Sequence, residues 1–464
     1  MASVEQLTLV RQSIGRRSCK GIASMPRFVL LTLTVVVLVE SGRALAAEAT
    51  AEDWWGLHGQ STFVTQYHPG FHSAFRGPNS LDPQAQARET WDLTLYGGLR
   101  LWRGAELWVN PEVDQGFGLS NTLGGAGFPS GEAYKVGAAA PYFQLPRLFV
   151  RQTITLGGEA AQVEAGLNQL AGRQTADRVV VTVGKFSVVD VFDTNRYAHD
   201  PRNDFLNWSI IDVGSFDYAA DAWGYTYGAA VEWSQQWWTV RTGLFTLSKV
   251  PNSKVLDSKV FDQYQVDQEV EERHTIFGQP GKLKLLGFLS HGRMGRYSEA
   301  TAIALQTGMP ADIAAVRTAH TRVGVGLNLE QQITEGLGVF AKAGWSQGQF
   351  EAFEFTDINK TVALGLSVTG TRWGRPDDTV GVAVAVNDAS GAAKQFFAAG
   401  GLGILVGDGQ LIHSGPEHIV ETYYNVAVFK FAKLSLDYQF VNHPAYNRDR
   451  GPVSIFGLRA HAEL

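Results

Sequence analysis

The stretch Glu89-Thr-Trp-Asp-Leu-Thr-Leu-Tyr-Gly-Gly-Leu-Arg-Leu101 alternates apolar and polar residues with a period of two. Trp91 and Leu93 fall on one face, whereas Asp92 and Thr94 fall on the other. Successive side chains of a β-strand point to opposite faces, while those of a helix repeat every 3.6 residues. The stretch therefore predicts a strand with one apolar and one polar face.

The same alternation recurs along the chain after residue 89 and predicts many more strands. It continues directly after Arg103-Gly104, which reads as a short turn, and again between Arg147 and Leu156. Further strands are predicted at Trp223–Trp233, Trp237–Leu247, Arg322–Gln331, Leu337–Trp345, Thr379–Asn387, Leu434–Val441 and Val453–Leu464. The chain is thus expected to be all-β.

Three features favour a membrane barrel over a soluble sandwich, which would alternate as well. The polar faces carry full charges, as a water-filled lumen tolerates. Aromatic pairs stand where strands are expected to end, at Trp54-Trp55, Trp237-Trp238 and Tyr423-Tyr424. The last predicted strand reaches the final residue, which suits a sheet that must close because lipid cannot satisfy an open edge. We predict a single transmembrane antiparallel β-barrel of about 16 strands.

The connections between the predicted strands fall into two classes of length. Gly278–Lys282 and Glu335-Gly336 read as short periplasmic turns. Tyr67–Arg88, Gln115–Tyr142 and Val189–Asp221 read as long external or inward-folding loops.

The N-terminus reads as a secretory signal peptide covering residues 1–47. Arg27 precedes the apolar run Phe28–Val39, and the segment ends in Ala-Leu-Ala-Ala47. The apolar run is shorter than the roughly 20 residues of a spanning helix. Met25 is an alternative start, and residues 48–464 form the expected barrel domain. Cys19 is the one cysteine of the sequence and lies in the predicted signal peptide.

Composition and motifs exclude several functions. The formal net charge is −6 without a basic tract, which argues against nucleic acid as a partner. His68 and His72 have helical metal-pair spacing, but Pro69-Gly70 between them forbids the helix, so we expect no metal. Gly400–Gly409 lacks the order of a phosphate-binding loop and reads as a turn with close backbone approach. We expect no cofactor and no enzymatic activity.

Several blocks of sequence resemble the carbohydrate-selective porin (OprB) family. The most specific is the block that contains Asp193-Thr-Asn-Arg-Tyr-Ala-His-Asp-Pro-Arg-Asn-Asp204. The resembling blocks are Val109–Asn121, Gly131–Gly137, Val191–Trp208, Phe277–Gly281, Ala399–Gly409 and Pro444–Pro452. One departure is Leu464, because members of the family usually end in Phe.

The resemblance implies an outer-membrane porin of a Gram-negative cell that passes monosaccharides and related small solutes by passive diffusion. Its expected partners are small neutral sugars, outer-membrane lipid and the barrel assembly machinery. It implies either a monomer or a homotrimer and does not identify the sugar.

A neutral sugar needs hydrogen-bonding groups and flat apolar surfaces, with each contact weak enough to release it. The polar strand faces and the loop Asp190–Trp208, which we expect to fold inward and narrow the channel, supply both. The predicted pore-lining residues are Asp92, Arg100, Trp108, Glu112, Asp114, Arg147, Arg151, Arg196, Asp200, Arg202, Asn203, Asp204 and Trp208.

Alternatives remain for the roles of these residues and for the function of the protein. The Asp–Arg pairs of the loop could merely hold its shape, and Arg100, Glu112, Asp114 and Arg151 could pair across strands without touching solute. A general porin with weak carbohydrate preference is the main functional alternative. A barrel-borne hydrolase using Glu112 and Asp114, or a secreted lectin, would be different classes of protein.

Overall fold

A computed structural model describes residues 53–134 and 137–464. These residues form one closed barrel of sixteen antiparallel strands, in which each strand pairs with its neighbours in the sequence and β1 pairs with β16. The predicted signal peptide, residues 1–47, lies outside the described residues. The strands are β1 Trp55–His68, β2 Gln86–Trp102, β3 Ala105–Gly116, β4 Ala138–Val163, β5 Gly172–Phe186, β6 Thr226–Gln235, β7 Trp238–Thr246, β8 Tyr264–Ile276, β9 Gln279–Gly295, β10 Arg317–Thr334, β11 Leu337–Ser346, β12 Lys360–Gly370, β13 Arg375–Asp388, β14 Glu417–Phe429, β15 Ala432–Asn442 and β16 Val453–Glu463.

The alternation in the sequence separates the outside of the barrel from the inside. On β12, Val362 and Leu364 are each 50% exposed, whereas Ala363 between them is buried. On β2, Leu99 is exposed while Asp92 and Tyr96 point inward and are buried. An apolar exterior around a polar interior is the pattern of a barrel that sits in lipid. Among the described residues, no helix has the length and apolar character needed to cross a membrane.

The two ends of the barrel differ in the length of their connections. At one end, called the short-turn end, most strands are joined by about two to four residues, as at Glu335-Gly336. The predicted turn Gly278–Lys282 was placed too late in the chain. The turn is Phe277-Gly278, and β9 already begins at Gln279. Both turn residues have positive φ, 53° and 76°, as the tightest hairpins require.

The other end, called the long-loop end, carries the three predicted long connections and others that the sequence did not reveal. Among the described residues these loops contain three α-helices, α1 Trp208–Ile211, α2 Tyr297–Thr307 and α3 Gly391–Ala398, besides short 3-10 turns. Helices α2 and α3 pack through Tyr297 and Phe396, whose ring centroids are 5.0 Å apart.

The connection between β5 and β6, residues 187–225, folds into the barrel and is called the inward loop. Its aromatic residues Phe205 and Phe216 are fully buried. Charged side chains of the wall hold its backbone: Glu421 on β14 accepts hydrogen bonds from the amides of Leu206 and Asn207. Lys342 on β11 donates to the carbonyls of Ala198 and Ile211. These bonds satisfy backbone groups that burial would otherwise leave unpaired.

Of the three aromatic pairs predicted at strand ends, Trp54-Trp55 and Trp237-Trp238 lie there and Tyr423-Tyr424 does not. Trp54, Trp55 and Trp237 are exposed at the short-turn end. Tyr423, in contrast, lies in the middle of β14 and points inward, where it is 2% exposed. Its ring packs against Phe205 of the inward loop, with centroids 4.9 Å apart. The aromatic residue at this position therefore fixes the loop.

Candidate functional site

A cavity of about 370 Å³ lies between the inward loop and the part of the wall that contains β1, β2 and β4. Near the long-loop end it is lined by Asn252, Phe355 and Leu405, which come from three different loops. Near the short-turn end it is lined by Leu167 and Asn168 of the β4–β5 connection. The cavity thus runs along the barrel on one side of the inward loop. It is called the channel cavity below.

Arg202 of the inward loop is the central charge of the channel cavity. Its guanidinium lies 3.3 Å from Glu132, 3.7 Å from Asp92 and 4.0 Å from Glu112. Burial alone would lower the pKa of Arg202, but Glu132 and Asp92 raise it well above its ordinary value. The guanidinium is therefore charged, and it is shared loosely among carboxylates of β2, β3 and the β3–β4 loop.

A second arginine, Arg147 on β4, holds the start of the inward loop. Its guanidinium donates two hydrogen bonds of 2.8 and 2.7 Å to the carboxylate of Asp190, which is the two-pronged geometry that arginine favours. The same guanidinium lies 5.0 Å from the ring centroid of Tyr225, where the loop ends. Both ends of the loop are thus fixed beside the channel cavity.

A row of aromatic rings runs along the cavity. Phe128 and Trp208 stack with centroids 5.2 Å apart, and Trp208 contacts Tyr218 at 5.6 Å. Phe355 continues the row, 4.9 Å from Tyr218. All four side chains line the cavity, and Nε1 of Trp208 has no hydrogen-bond partner among the described residues. The row offers flat apolar faces to a passing solute.

His199 adds a titratable group to the cavity. Its Nδ1 is 3.7 Å from a carboxylate oxygen of Asp212. Burial opposes the charge on the imidazole, but Asp212 and Asp193 outweigh burial and the repulsion from Lys342, so the pKa of His199 is raised above its ordinary value.

The structure brings together some of the predicted pore-lining residues and separates others. Arg147, Asp200, Arg202 and Trp208 line the channel cavity directly. Asp92 and Glu112 lie behind them as partners of Arg202, and Asp114 is bound by Gln144. These residues form one continuous cluster on β2, β3, β4 and the inward loop.

Three predicted arginines lie elsewhere. Arg196 lines a second cavity, of about 630 Å³, at the short-turn end with Trp237 and Lys282. Arg100 and Arg151 donate hydrogen bonds to backbone carbonyls of the β4–β5 connection. For Arg100 and Arg151, alternation predicts which face of the strand the side chain is on. It does not predict the position along the barrel axis, and that position separates both residues from Arg202.

Three more predicted residues are fixed within the protein. Lys433 donates to the side chain of Asn203, and Arg459 donates to the carbonyl of Asp204, both on the side facing β15 and β16. Trp108 is fully buried, and its Nε1 donates to Glu106.

Sequence reasoning missed Glu132, Phe128, Tyr218 and Phe355. Glu132 stands inside the block Gly131–Gly137, so its position in a recognised motif was a usable signal. The three aromatic residues come from separate loops without periodicity, and only the folded structure brings them together. Within the described ranges, no group of three His, Cys, Asp or Glu side chains could hold a metal ion.

Comparisons with known proteins agree with this architecture. The family model described as carbohydrate-selective porin, OprB family, matches residues 78–464. The high-pH structure of OprB from Pseudomonas putida is similar over 88% of this chain and 94% of that chain, with TM-score 0.65 and 16% identity. The outer membrane channel DcaP of Acinetobacter baumannii is similar over 90% of this chain and 99% of that chain, with TM-score 0.47 and 10% identity. No curated protein matches the sequence. At 16% identity the likeness to the P. putida OprB structure shows the fold alone.

Proposed function

This chain belongs to the carbohydrate-selective porin, OprB family, and we propose that its solutes cross the barrel through the channel cavity, between the inward loop and the wall that contains β1, β2 and β4. The chain is thus a porin of the Gram-negative outer membrane that passes carbohydrates. Family and fold indicate a channel rather than an enzyme. The route through the molecule and the residues that line it are the proposal.

One observation carries this route: a shared charge faces a row of aromatic rings across a single cavity. Arg202 and its carboxylates provide donors and acceptors for hydroxyl groups, while Trp208 and Phe355 provide flat faces for the apolar side of a sugar ring. Each contact is weak because Arg202 is shared at 3.3–4.0 Å and water competes in the cavity. Weak contacts in series allow a solute both to enter and to leave.

The proposal includes the chemistry of the partners. Small neutral sugars suit a lining that carries both signs of charge, because they need hydrogen bonds and no net attraction. Outer-membrane lipid would contact the exposed apolar face, such as Val362 and Leu364. The assembly machinery would engage the terminal strand β16, which ends beside Leu464. We propose a monomer or a homotrimer.

Replacing Arg202 tests the route, with Arg196 as a matched control. Both are arginines of the inward loop, but only Arg202 lines the channel cavity. In liposome swelling with monosaccharides, Arg202→Ala should change the rate several-fold, and Arg196→Ala should leave it near that of the unmodified protein. Equal rates for all three folded proteins would contradict the proposed route.

The same comparison separates selective from general diffusion. If sugar contacts the lining, the effect of Arg202→Ala should differ between a monosaccharide and a polyol of similar size. A general porin would respond to the substitution through pore width alone, so both solutes would change by the same factor.

A further inference from the structure

The hairpin of β4 and β5 extends beyond the rim of the barrel at the short-turn end. Strand β3 begins at Ala105, which pairs with Gln152, so β4 has no β3 partner from Ile154 onward. On the other side, β6 pairs with β5 only as far as Arg178. The segment from about residue 155 to residue 177 therefore has no neighbouring strand on either side.

This extension bends back toward the barrel. Gly157 and Gly158 have φ of 128° and 82°, a region that side chains rarely adopt, and the pairing register shifts at Gly157. The tip, residues 164–171, returns to the rim: Arg151 donates to the carbonyl of Asn168 at 2.7 Å, and Arg100 donates to the carbonyl of Ala171 at 3.1 Å. Two arginines of the wall thus hold the tip at the mouth of the barrel.

The tip occupies the end of the channel cavity. Leu170 is 3% exposed, and a Cβ added to Gly56 on β1 would lie 2.9 Å from its side chain. Leu167 and Asn168 line the same cavity as Arg147 and Arg202. A solute that follows the proposed route must pass these two side chains before it leaves the barrel.

We propose that the hairpin tip, residues 164–171, forms a constriction at the exit, in series with the segment lined by Arg202, and that Leu167 and Asn168 limit the size of the solute that can leave. This inference rests on the proposed route through the channel cavity. Resistances in series add, so removing a second narrow segment raises the flux even when the first is intact. A tip that only braced the rim would lack this effect.

Single cysteines test where the tip lies relative to the flow. Cys19 is the one native cysteine and lies in the predicted signal peptide, so an introduced thiol is the sole target in the mature protein. Leu167→Cys should react with a charged thiosulfonate reagent in planar bilayers and lose roughly half of its conductance. Glu159 is exposed on the same hairpin but outside the cavity, so Glu159→Cys should react with the reagent without a change in conductance. Equal conductance after complete modification of Leu167→Cys would overturn the proposal.

A shortened hairpin tests the size limit. Gly157 and Asp177 are a registered pair, so replacing residues 158–176 by Asn-Gly closes the hairpin with a two-residue turn. The variant should conduct about twofold more than the parent protein. It should also admit disaccharides that the parent excludes.

Heat-modifiable gel mobility reports whether the shortened barrel folds, and the cysteine variants remain decisive if it does not. The two proposals fail differently. If Arg202→Ala leaves transport unchanged, the route is wrong. If Arg202→Ala alters transport but neither tip variant does, the route stands and the exit constriction is wrong.

Discussion

Two clusters inside the barrel each combine an arginine with carboxylates, but the two clusters have different roles. Arg322 on β10 bonds Asp217 of the inward loop at 2.5 Å, and both side chains are at most 1% exposed. Asp217 also accepts hydrogen bonds from the amides of Phe353 and Glu354, at 2.6 and 3.1 Å, so its carboxylate is saturated and closed to solvent. Arg202, in contrast, is shared at 3.3–4.0 Å beside a cavity.

The difference shows that charged side chains in the lumen have two roles. The distance between arginine and carboxylate, and the access of water to the pair, distinguish them. A saturated, buried pair fixes the inward loop against the wall, and breaking it leaves an uncompensated charge. A loosely shared pair beside water can exchange partners with a passing hydroxyl group.

The largest effect is expected from breaking the saturated cluster. Asp217→Asn leaves the charge of Arg322 buried without a counter-ion, which costs about 3–5 kcal/mol. Urea unfolding of the protein in detergent should show this loss of stability. Arg202→Ala should lose less, because its ion pairs are 3.3–4.0 Å long, Glu132 borders the cavity, and Glu112 keeps hydrogen bonds from Thr94 and Gln144. Equal losses for the two variants would remove the distinction between the clusters.

An intermediate effect is expected at the ring beside Arg202. Trp208→Leu removes a flat ring that stacks on Phe128 and lines the cavity. Loss of about 1 kcal/mol of ring contact corresponds to sugar binding about fivefold weaker. Sugar-dependent block of bilayer current measures this directly. Undiminished block would mean that sugar does not reach Trp208.

The smallest effect is a change with pH. The pKa of His199 is raised, so the stabilisation from its pair with Asp212 is present below the ordinary value of about 6.5. It is lost as pH rises through the raised value. The channel cavity then loses one positive charge, and its preference for cations should increase slightly. Reversal potentials across a KCl gradient should show this trend, and His199→Gln should reduce it.

The fold could be predicted from periodicity because a barrel wall imposes the same alternation on every strand. Strand bounds at β11 and β16 are within one residue of prediction. Helices α2 and α3 were missed because they lie in loops where no alternating surface constrains the sequence. Tyr423 was placed at a strand end because an aromatic pair in the sequence looks the same whether it lies at the membrane interface or packs against a buried loop.

The site could be predicted in part. Alternation gave the lumen face of β2 and β3, and the motif gave Arg202 and Trp208. It could not separate Arg202 from Arg196, six residues earlier in the same loop, because the inward loop passes from one cavity to the other between them. That separation depends on bonds such as those from Lys342 and Glu421, which exist only in the folded barrel.

The most direct test of the route is sugar-dependent block of single channels in planar bilayers, measured for the unmodified protein and for the two arginine variants. The account predicts saturable block in the unmodified protein, unchanged block in Arg196→Ala and little or none in Arg202→Ala. A current that falls only with the viscosity of the sugar solution, alike in all three proteins, would contradict it.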